Sequence, residues 1–204
     1  MDSIKVDSLL KLVSFKKLLV IDTAKVKVLK KGVTIDLNAM GEGYALDAIS
    51  SILDQSGVNN YMVEIGGEMK CKGLNQNGNI WKIGIENPTV SIDERGTSLM
   101  KIVKLKNVGI STSGNYRKFY TDSLGNKYSH IIDVMTGYPV QHNLLSASII
   151  STSATKADAL ATACMSMGME KAKYFIENDP DMEGFLIYSD DNNLKSWQSS
   201  SFSK

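Results

Sequence analysis

Residues 144–168 read Leu-Leu-Ser-Ala-Ser-Ile-Ile-Ser-Thr-Ser-Ala-Thr-Lys-Ala-Asp-Ala-Leu-Ala-Thr-Ala-Cys-Met-Ser-Met-Gly. This stretch predicts a strand over 144–152 and a helix over 155–167, which Gly168 ends. Outward from it, the same two kinds of signal recur along the chain. Strands are predicted at 25–37, 61–73 (interrupted by paired glycines), 81–86, 98–110 and 184–188, and helices at 43–57 and 170–177. Because strands outnumber helices and fall in hairpin-like groups, we predict an α+β fold with two or three helices packed on a sheet.

The bulk composition is that of a globular domain and excludes several classes of function. The chain has 204 residues, 43% of them hydrophobic and 22% charged, with a formal net charge of +1. This near-neutral charge gives no global attraction to nucleic acid, and the sequence contains no apolar run long enough for a membrane-spanning helix. The two cysteines, Cys71 and Cys164, are far apart and lack the spacing of a zinc site. We predict a single domain over 1–195 and a flexible, serine-rich tail over 196–204.

Reactive side chains concentrate in residues 110–139. His130 is one of two histidines and lies beside Tyr128, Ser129 and Asp133, after a turn of small residues predicted at 111–114. Histidine titrates near neutral pH and can accept a proton from a hydroxyl nucleophile. The alternative is a buried histidine that satisfies the end of a strand.

Two glycine-rich segments could hold a ligand. In 38–44 (Asn-Ala-Met-Gly-Glu-Gly-Tyr), a strand passes into a helix whose first turn could bind an anion. In 64–68 (Glu-Ile-Gly-Gly-Glu), the paired glycines leave room for a flat or phosphorylated ligand. The alternatives are an ordinary turn in the first segment and a β-bulge in the second.

Asp158 and Thr162 are four residues apart and therefore share one face of the predicted helix. Together they offer two hard oxygen ligands that suit a magnesium ion. The alternative is that Asp158 lies in the first turn, near an N-cap at Thr155, and complements the helix dipole.

In chain order, these segments resemble the motifs of one family, the ApbE-type FAD:protein FMN transferases. The resemblance rests on five segments: 35–47, 63–68, 111–117, 128–139 and 157–162. It covers residues from about 30 to 190 and implies an ApbE-like or T-fold-like, mostly antiparallel sheet with packed helices.

The resemblance implies an enzyme that uses magnesium to transfer FMN from FAD to a Ser or Thr hydroxyl of an acceptor protein, releasing AMP. It implies that His130 activates the acceptor hydroxyl, and that Asp158, Thr162 and the carbonyl of Gly41 bind the metal. It places six residues at the FAD: Asn38, Glu42, Gly66, Gly67, Ser113 and Ile132. Two alternatives remain open, a protein that only binds FAD and a pyrophosphatase that yields FMN and AMP.

The resemblance also carries expectations about the parent protein. It implies an N-terminal portion that closes over the flavin, with a signal or lipoprotein leader that this chain lacks. It therefore implies a location in the cell envelope, periplasmic or on the outer face of the cytoplasmic membrane, with membrane contact through that leader alone.

Overall fold

A computed structural model describes residues 3–22, 25–90, 96–115, 119–121, 125, 127–191 and 193–202. The helices are α1 (Ser3–Leu10), α2 (Phe15–Leu18), α3 (Gly41–Gln55), α4 (Ala154–Met167) and α5 (Met169–Glu177), with a 3-10 turn, η1, at Asn38–Met40. The strands are β1 (Leu19–Asp22), β2 (Lys25–Val28), β3 (Tyr61–Ile65), β4 (Glu68–Lys72), β5 (Trp81–Glu86), β6 (Leu99–Leu105), β7 (Val108–Gly114), β8 (Phe119–Thr121), β9 (Lys127–Ser129), β10 (Leu144–Ser151), β11 (Met182–Asp190) and β12 (Asn193–Gln198).

Six of the strands form a central antiparallel sheet in the order β12-β11-β10-β7-β4-β3. The strand β10 lies in the middle, where Ile149 faces Ser111 of β7 on one side and Gly184 of β11 on the other. Its residues are nearly all buried, as expected for a strand covered on both faces. The predicted α+β fold with a mostly antiparallel sheet is therefore confirmed.

Each face of the sheet has its own hydrophobic core, because successive side chains of a strand point to opposite faces. On one face, Ala147 and Ile149 pack against α4 and α5. On the other face, Ile150, Phe185 and Ile187 pack against the separate β5–β6 hairpin. The alternation in β10 and β11 thus fixes which face carries the helices.

Three sequence predictions about strands are wrong. The strand predicted at 25–37 is limited to Lys25–Val28, the residues that pair with β1. Further on, the side chain of Asp36 accepts hydrogen bonds from the amide and side chain of Asn38, where the chain turns into η1. The single strand predicted at 98–110 is two strands, since the chain turns at Asn107 with φ 60°. The turn predicted at 111–114 belongs to β7.

Two further corrections concern hairpins. The segment 61–73, predicted as one strand interrupted by paired glycines, is a complete hairpin. The interruption is confirmed, but Gly66 and Gly67 (φ 65° and 109°) form a two-residue turn rather than a bulge. The next segment, 81–86, forms no hairpin with β4, contrary to the expectation from the hairpin-like grouping of the strands. β5 pairs with β6 instead, over the register from Trp81 opposite Leu105 to Glu86 opposite Leu99.

The tail predicted to be flexible from 196 onward is ordered through residue 202. Residues 196–198 belong to β12, which pairs with β11. Phe202 is 3% exposed, and its ring centroid lies 5.6 Å from that of Phe185. The apolar ring of Phe202 closes the second core, which accounts for the order of a polar segment.

Candidate active site

The centre of the site is a crossing of two helices, α3 and α4. The amide of Gly43, in the first turn of α3, donates a 2.9 Å hydrogen bond to Oδ2 of Asp158 in α4. A Cβ at position 43 would lie 2.4 Å from the carbonyl oxygen of Ala154, so the close approach requires glycine. Asp158 is 7% exposed, and one of its oxygens satisfies an amide that a helix terminus leaves without an intrahelical partner.

Asp47 of α3 stabilises the same crossing by accepting hydrogen bonds from α4. This α3 carboxylate accepts hydrogen bonds from the first amides of α4, those of Ala154 (3.0 Å) and Thr155 (2.9 Å). It also accepts from the hydroxyls of Ser153 (2.8 Å) and Thr155 (2.7 Å) and from Lys70 Nζ in β4. Burial raises the pKa of Asp47, but these hydrogen bonds outweigh burial and hold it well below its usual range.

The N-terminus of α4 is thus capped twice. Ser153 is its N-cap, and the Ser153 hydroxyl accepts from the amide of Lys156 at 3.1 Å. The N-cap predicted at Thr155 is therefore wrong by two residues. Thr155 lies inside the first turn, where both its amide and its hydroxyl donate to Asp47.

Thr162 lies one helical turn beyond Asp158, as its spacing predicts. Its Oγ1 is 3.0 Å from the hydroxyl of Ser113, which lies in β7. The structure therefore brings two predicted residues, one from the metal set and one from the FAD set, into direct contact across the interface between α4 and the sheet.

The pKa of Asp158 is raised. Burial is the largest cause, the Gly43 amide opposes it, and the charge of Glu42 adds to the increase. Burial disfavours the ionised form of this carboxyl, and a bound cation would offset that cost.

A pair of neighbouring carboxyl groups, those of Glu42 and Glu68, lies next to this crossing. Burial raises the pKa of Glu68 to about 8, and the hydrogen bond and charge of Glu42 contribute to the increase. Glu68 is 8% exposed, whereas Glu42 is exposed in the first turn of α3. A Cβ at Gly66 would lie 2.4 Å from Oε1 of Glu42, so three residues of the predicted FAD segments, Glu42, Gly66 and Glu68, meet here.

The donor set around Asp158 fits a hard cation such as Mg²⁺. It consists of one carboxylate, whose Oδ2 accepts a hydrogen bond from Gly43, and the hydroxyl of Thr162. Mg²⁺ takes much of its coordination shell from water and substrate phosphates. Among the described residues, no group of three or more His, Cys, Asp or Glu side chains has a metal-binding arrangement. Mg²⁺ does not require such a group, because it is usually bound through one or two carboxylates together with water and substrate phosphates.

Two other predicted residues lie at the start of α3. Gly41 is its first residue, and Asn38 begins the preceding η1, which packs against α4. The roles predicted for the Gly41 carbonyl and for Asn38 remain predictions. Gly67 occupies the exposed second position of the β3–β4 turn.

His130 and Ile132 lie in the segment that follows β9. His130 is exposed, and Ile132 forms an isolated bridge with Pro139 that closes the 133–138 turn. Between them, Ile131 packs against the hydrophobic cluster that contains Ala157 and Ala161 of α4. The His130 segment and α4 thus share one core. The roles of His130 and of a metal ion at Asp158 and Thr162 remain predictions. Residues 116–117 of the matching motif lie outside the described residues.

A cavity of about 870 Å³ opens beside this segment, between the 133–143 loop and the junction of α4 and α5. It is lined by Tyr128, Tyr138, Ser166 and Lys171, among others, and by none of the predicted site residues. We therefore place the candidate chemistry at the α3–α4 crossing, where the buried carboxyls are. The second histidine, His142, contacts α4, since its Nε2 lies 2.7 Å from the carbonyl oxygen of Met165.

Sequence reasoning missed two residues of the site, Asp47 and Glu68. Asp47 follows Gly43 by four positions and therefore lies on the same face of α3, a spacing that could have revealed it. Glu68 is a carboxylate at the first position of a buried strand, directly after the paired glycines. A charged residue at such a position is an unusual signal that could have singled it out.

Comparison with known proteins supports the resemblance. The family model described as "ApbE family" matches residues 2–186. The chain belongs to the ApbE family. It is 36% identical over 168 residues to the FAD:protein FMN transferase of Escherichia coli (strain K12), which covers 82% of this chain and 46% of that protein. It is also 36% identical over 186 residues to the FAD:protein FMN transferase of Salmonella typhimurium, with coverage of 90% and 51%.

Solved structures of the ApbE family give the same result. The flavin transferase ApbE from Vibrio cholerae superimposes with a TM-score of 0.85 at 34% identity, over 99% of this chain and 62% of that one. The chain thus spans about half the length of the curated ApbE relatives it matches. Within the described residues, no helix combines the length and the apolarity needed to cross a membrane.

Proposed function

We propose that this ApbE chain carries the catalytic core of an FAD:protein FMN transferase. In this proposal it binds FAD, uses Mg²⁺ and transfers FMN to a Ser or Thr hydroxyl of an acceptor protein. The observation that carries the proposal is the arrangement at Asp158, a buried carboxylate with a raised pKa. Gly43 orients one of its oxygens, and a hydroxyl follows one helical turn later. The names of the ApbE relatives supply the reaction class.

The reaction forms one bond and breaks one. The acceptor hydroxyl oxygen bonds to the phosphorus of the FMN half of FAD, the bridging P–O bond breaks, and AMP leaves with the electron pair. Negative charge on the pyrophosphate opposes this attack, and a bound Mg²⁺ would offset that charge. Asp158 and Thr162 would hold the ion, and the Gly43 amide keeps the Asp158 carboxylate oriented towards it.

His130 is proposed to accept the proton of the acceptor hydroxyl. Its exposure suits this role, because the acceptor is a protein that must reach the histidine from solvent. The same exposure would admit water, so hydrolysis to FMN and AMP is the competing outcome. The cell-envelope location of the parent protein belongs to this proposal as well.

The test is incubation with FAD, MgCl₂ and a panel of purified candidate acceptor domains, followed by denaturing electrophoresis and intact-mass measurement. We expect a fluorescent acceptor band with the mass of one added FMN phosphoryl group, and AMP in equal amount. Free FMN and AMP without an adduct would show that the chain hydrolyses FAD instead of transferring FMN. Unchanged FAD with measurable FAD binding would reduce the chain to a binding module.

A further inference from the structure

We propose that Asp47 is a positioning residue for Asp158. The inference rests on the proposed function, in which Asp158 binds the divalent cation. Asp47 belongs to α3 and Asp158 to α4, and each carboxylate accepts hydrogen bonds from the first-turn amides of the other residue's helix. The two helices therefore cap each other through a pair of reciprocal contacts.

The reciprocity follows from the electrostatics of helix ends. The first four amides of a helix have no intrahelical acceptor and carry the positive end of the helix dipole. Asp47 accepts a hydrogen bond from such an amide at the start of α4, and Asp158 accepts one from the amide of Gly43 at the start of α3. Since Asp158 lies one turn into α4, the placement of the α4 N-terminus by Asp47 also places the Asp158 carboxylate.

Lys70 supports this arrangement from the sheet. Its Nζ donates to Oδ1 of Asp47, and both side chains are largely buried, with exposures of 18% and 24%. Sheet, α3 and α4 are thus joined at one carboxylate. Because Oδ2 of Asp158 accepts from the Gly43 amide, Oδ1 is the oxygen proposed to bind the cation. The direction in which Oδ1 points depends on the α3–α4 crossing, which Asp47 stabilises.

The experiment compares Mn²⁺ binding by the wild type with that of Asp47→Asn, using the electron paramagnetic resonance signal of free Mn²⁺ well below the melting temperature of each variant. We expect Asp47→Asn to weaken Mn²⁺ binding by about ten- to a hundredfold, as is typical when a residue that orients a metal ligand is replaced. Thr155→Val, which removes one hydroxyl donor to Asp47, should have a smaller effect in the same direction. Asp47→Glu should restore part of the affinity.

Asp54→Asn is the matched control. Asp54 also lies on α3 and pairs with a lysine of β4, Lys72, at 2.9 Å, but its other partner is Tyr61 rather than α4. It should lower stability slightly and leave Mn²⁺ affinity unchanged. A lowered melting temperature with unchanged Mn²⁺ affinity in Asp47→Asn would overturn the proposal, because it would make Asp47 merely structural.

A second readout separates failure of this proposal from failure of the proposed function. If the wild type binds no Mn²⁺, the metal assignment fails, and the amide resonance of Gly43 then decides the positioning claim. We expect this resonance to move upfield in Asp47→Asn as the hydrogen bond to Asp158 weakens, and to stay in place in Asp54→Asn. An unmoved Gly43 resonance in a folded Asp47→Asn protein would overturn the proposal.

Discussion

The amide of Gly43 and Oδ2 of Asp158 are 2.9 Å apart, although the two residues are separated by 115 positions in the chain. The contact forms because position 43 has no side chain. A Cβ there would meet the carbonyl oxygen of Ala154 at 2.4 Å and Cβ of Asp158 at 2.8 Å. The glycine that a sequence motif presents as a feature of a loop is therefore a packing residue between two helices.

Gly43→Ala should destabilise the protein because α3 and α4 would have to separate. We expect the free energy of unfolding to fall by about 1–3 kcal/mol, the usual cost of overpacking a close contact. Gly41→Ala is the matched control in the same helix turn, since a Cβ at Gly41 has no neighbour within 4 Å and its backbone is already helical. Urea denaturation of both variants measures the difference, and equal stabilities would contradict the packing role.

The hydroxyls of Ser113 and Thr162 should be energetically coupled. A double-mutant cycle with Ser113→Ala and Thr162→Val is expected to give an interaction energy of about 0.5–1.5 kcal/mol, the usual net value of a neutral hydrogen bond. Thr162→Ser keeps the hydroxyl and should retain Mn²⁺ affinity, whereas Thr162→Val should lose affinity. Additive single-mutant effects would show that the 3.0 Å contact contributes nothing.

Stability should depend on pH through Glu68. Its pKa in the folded protein is raised from 4.5 to about 8 by burial and by Glu42, so between these values the folded state keeps a proton that the unfolded chain has lost. The unfolding free energy should therefore fall as pH rises through this window. Glu68→Gln removes the titrating group and should flatten the fall in urea denaturation series across the window. Glu64→Gln, on an exposed position of the same hairpin, should keep the wild-type slope, and an identical slope in Glu68→Gln would contradict the assignment.

Replacement of His130 should affect FMN transfer, whereas replacement of His142 should affect only stability. His130→Ala is expected to abolish FMN transfer while FAD binding, measured by fluorescence titration, persists. His142→Gln is the control. It disturbs the contact with the Met165 carbonyl and should lower stability by about 0.5–1.5 kcal/mol, yet transfer should continue. Loss of FAD binding together with transfer in His130→Ala would make that residue structural.

Local patterns predicted the elements whose neighbours are close in sequence. The apolar run at 144–152 and the spacing of 155–167 gave β10 and α4 within one residue at each end, because both elements are buried and carry strong signals. The alternation at 33–37 gave a wrong prediction, since none of the described strands pairs with it and Asp36 forms a local turn with Asn38. Strand partners also could not be predicted, because β5 pairs with β6 rather than β4 through contacts that no local pattern specifies.

The site shows the same division between local and distant information. The i, i+4 spacing of Asp158 and Thr162 was readable, and the ApbE motifs identified the family. The burial of Asp158 could not be predicted from the sequence. Its hydrogen bond with Gly43 and the caps that Asp47 supplies to α4 could not be predicted either. These depend on how two helices separated by nearly half of the chain cross on the sheet. Such a crossing is a tertiary property.

The most direct test of the account is the position of the divalent cation itself. Crystals grown with FAD and MnCl₂ should give an anomalous difference peak about 2.0–2.2 Å from Oδ1 of Asp158, beside Oγ1 of Thr162 and in contact with the pyrophosphate. A strong peak at another site, or FAD bound with no peak at Asp158, would contradict the claim that the α3–α4 crossing is the catalytic centre.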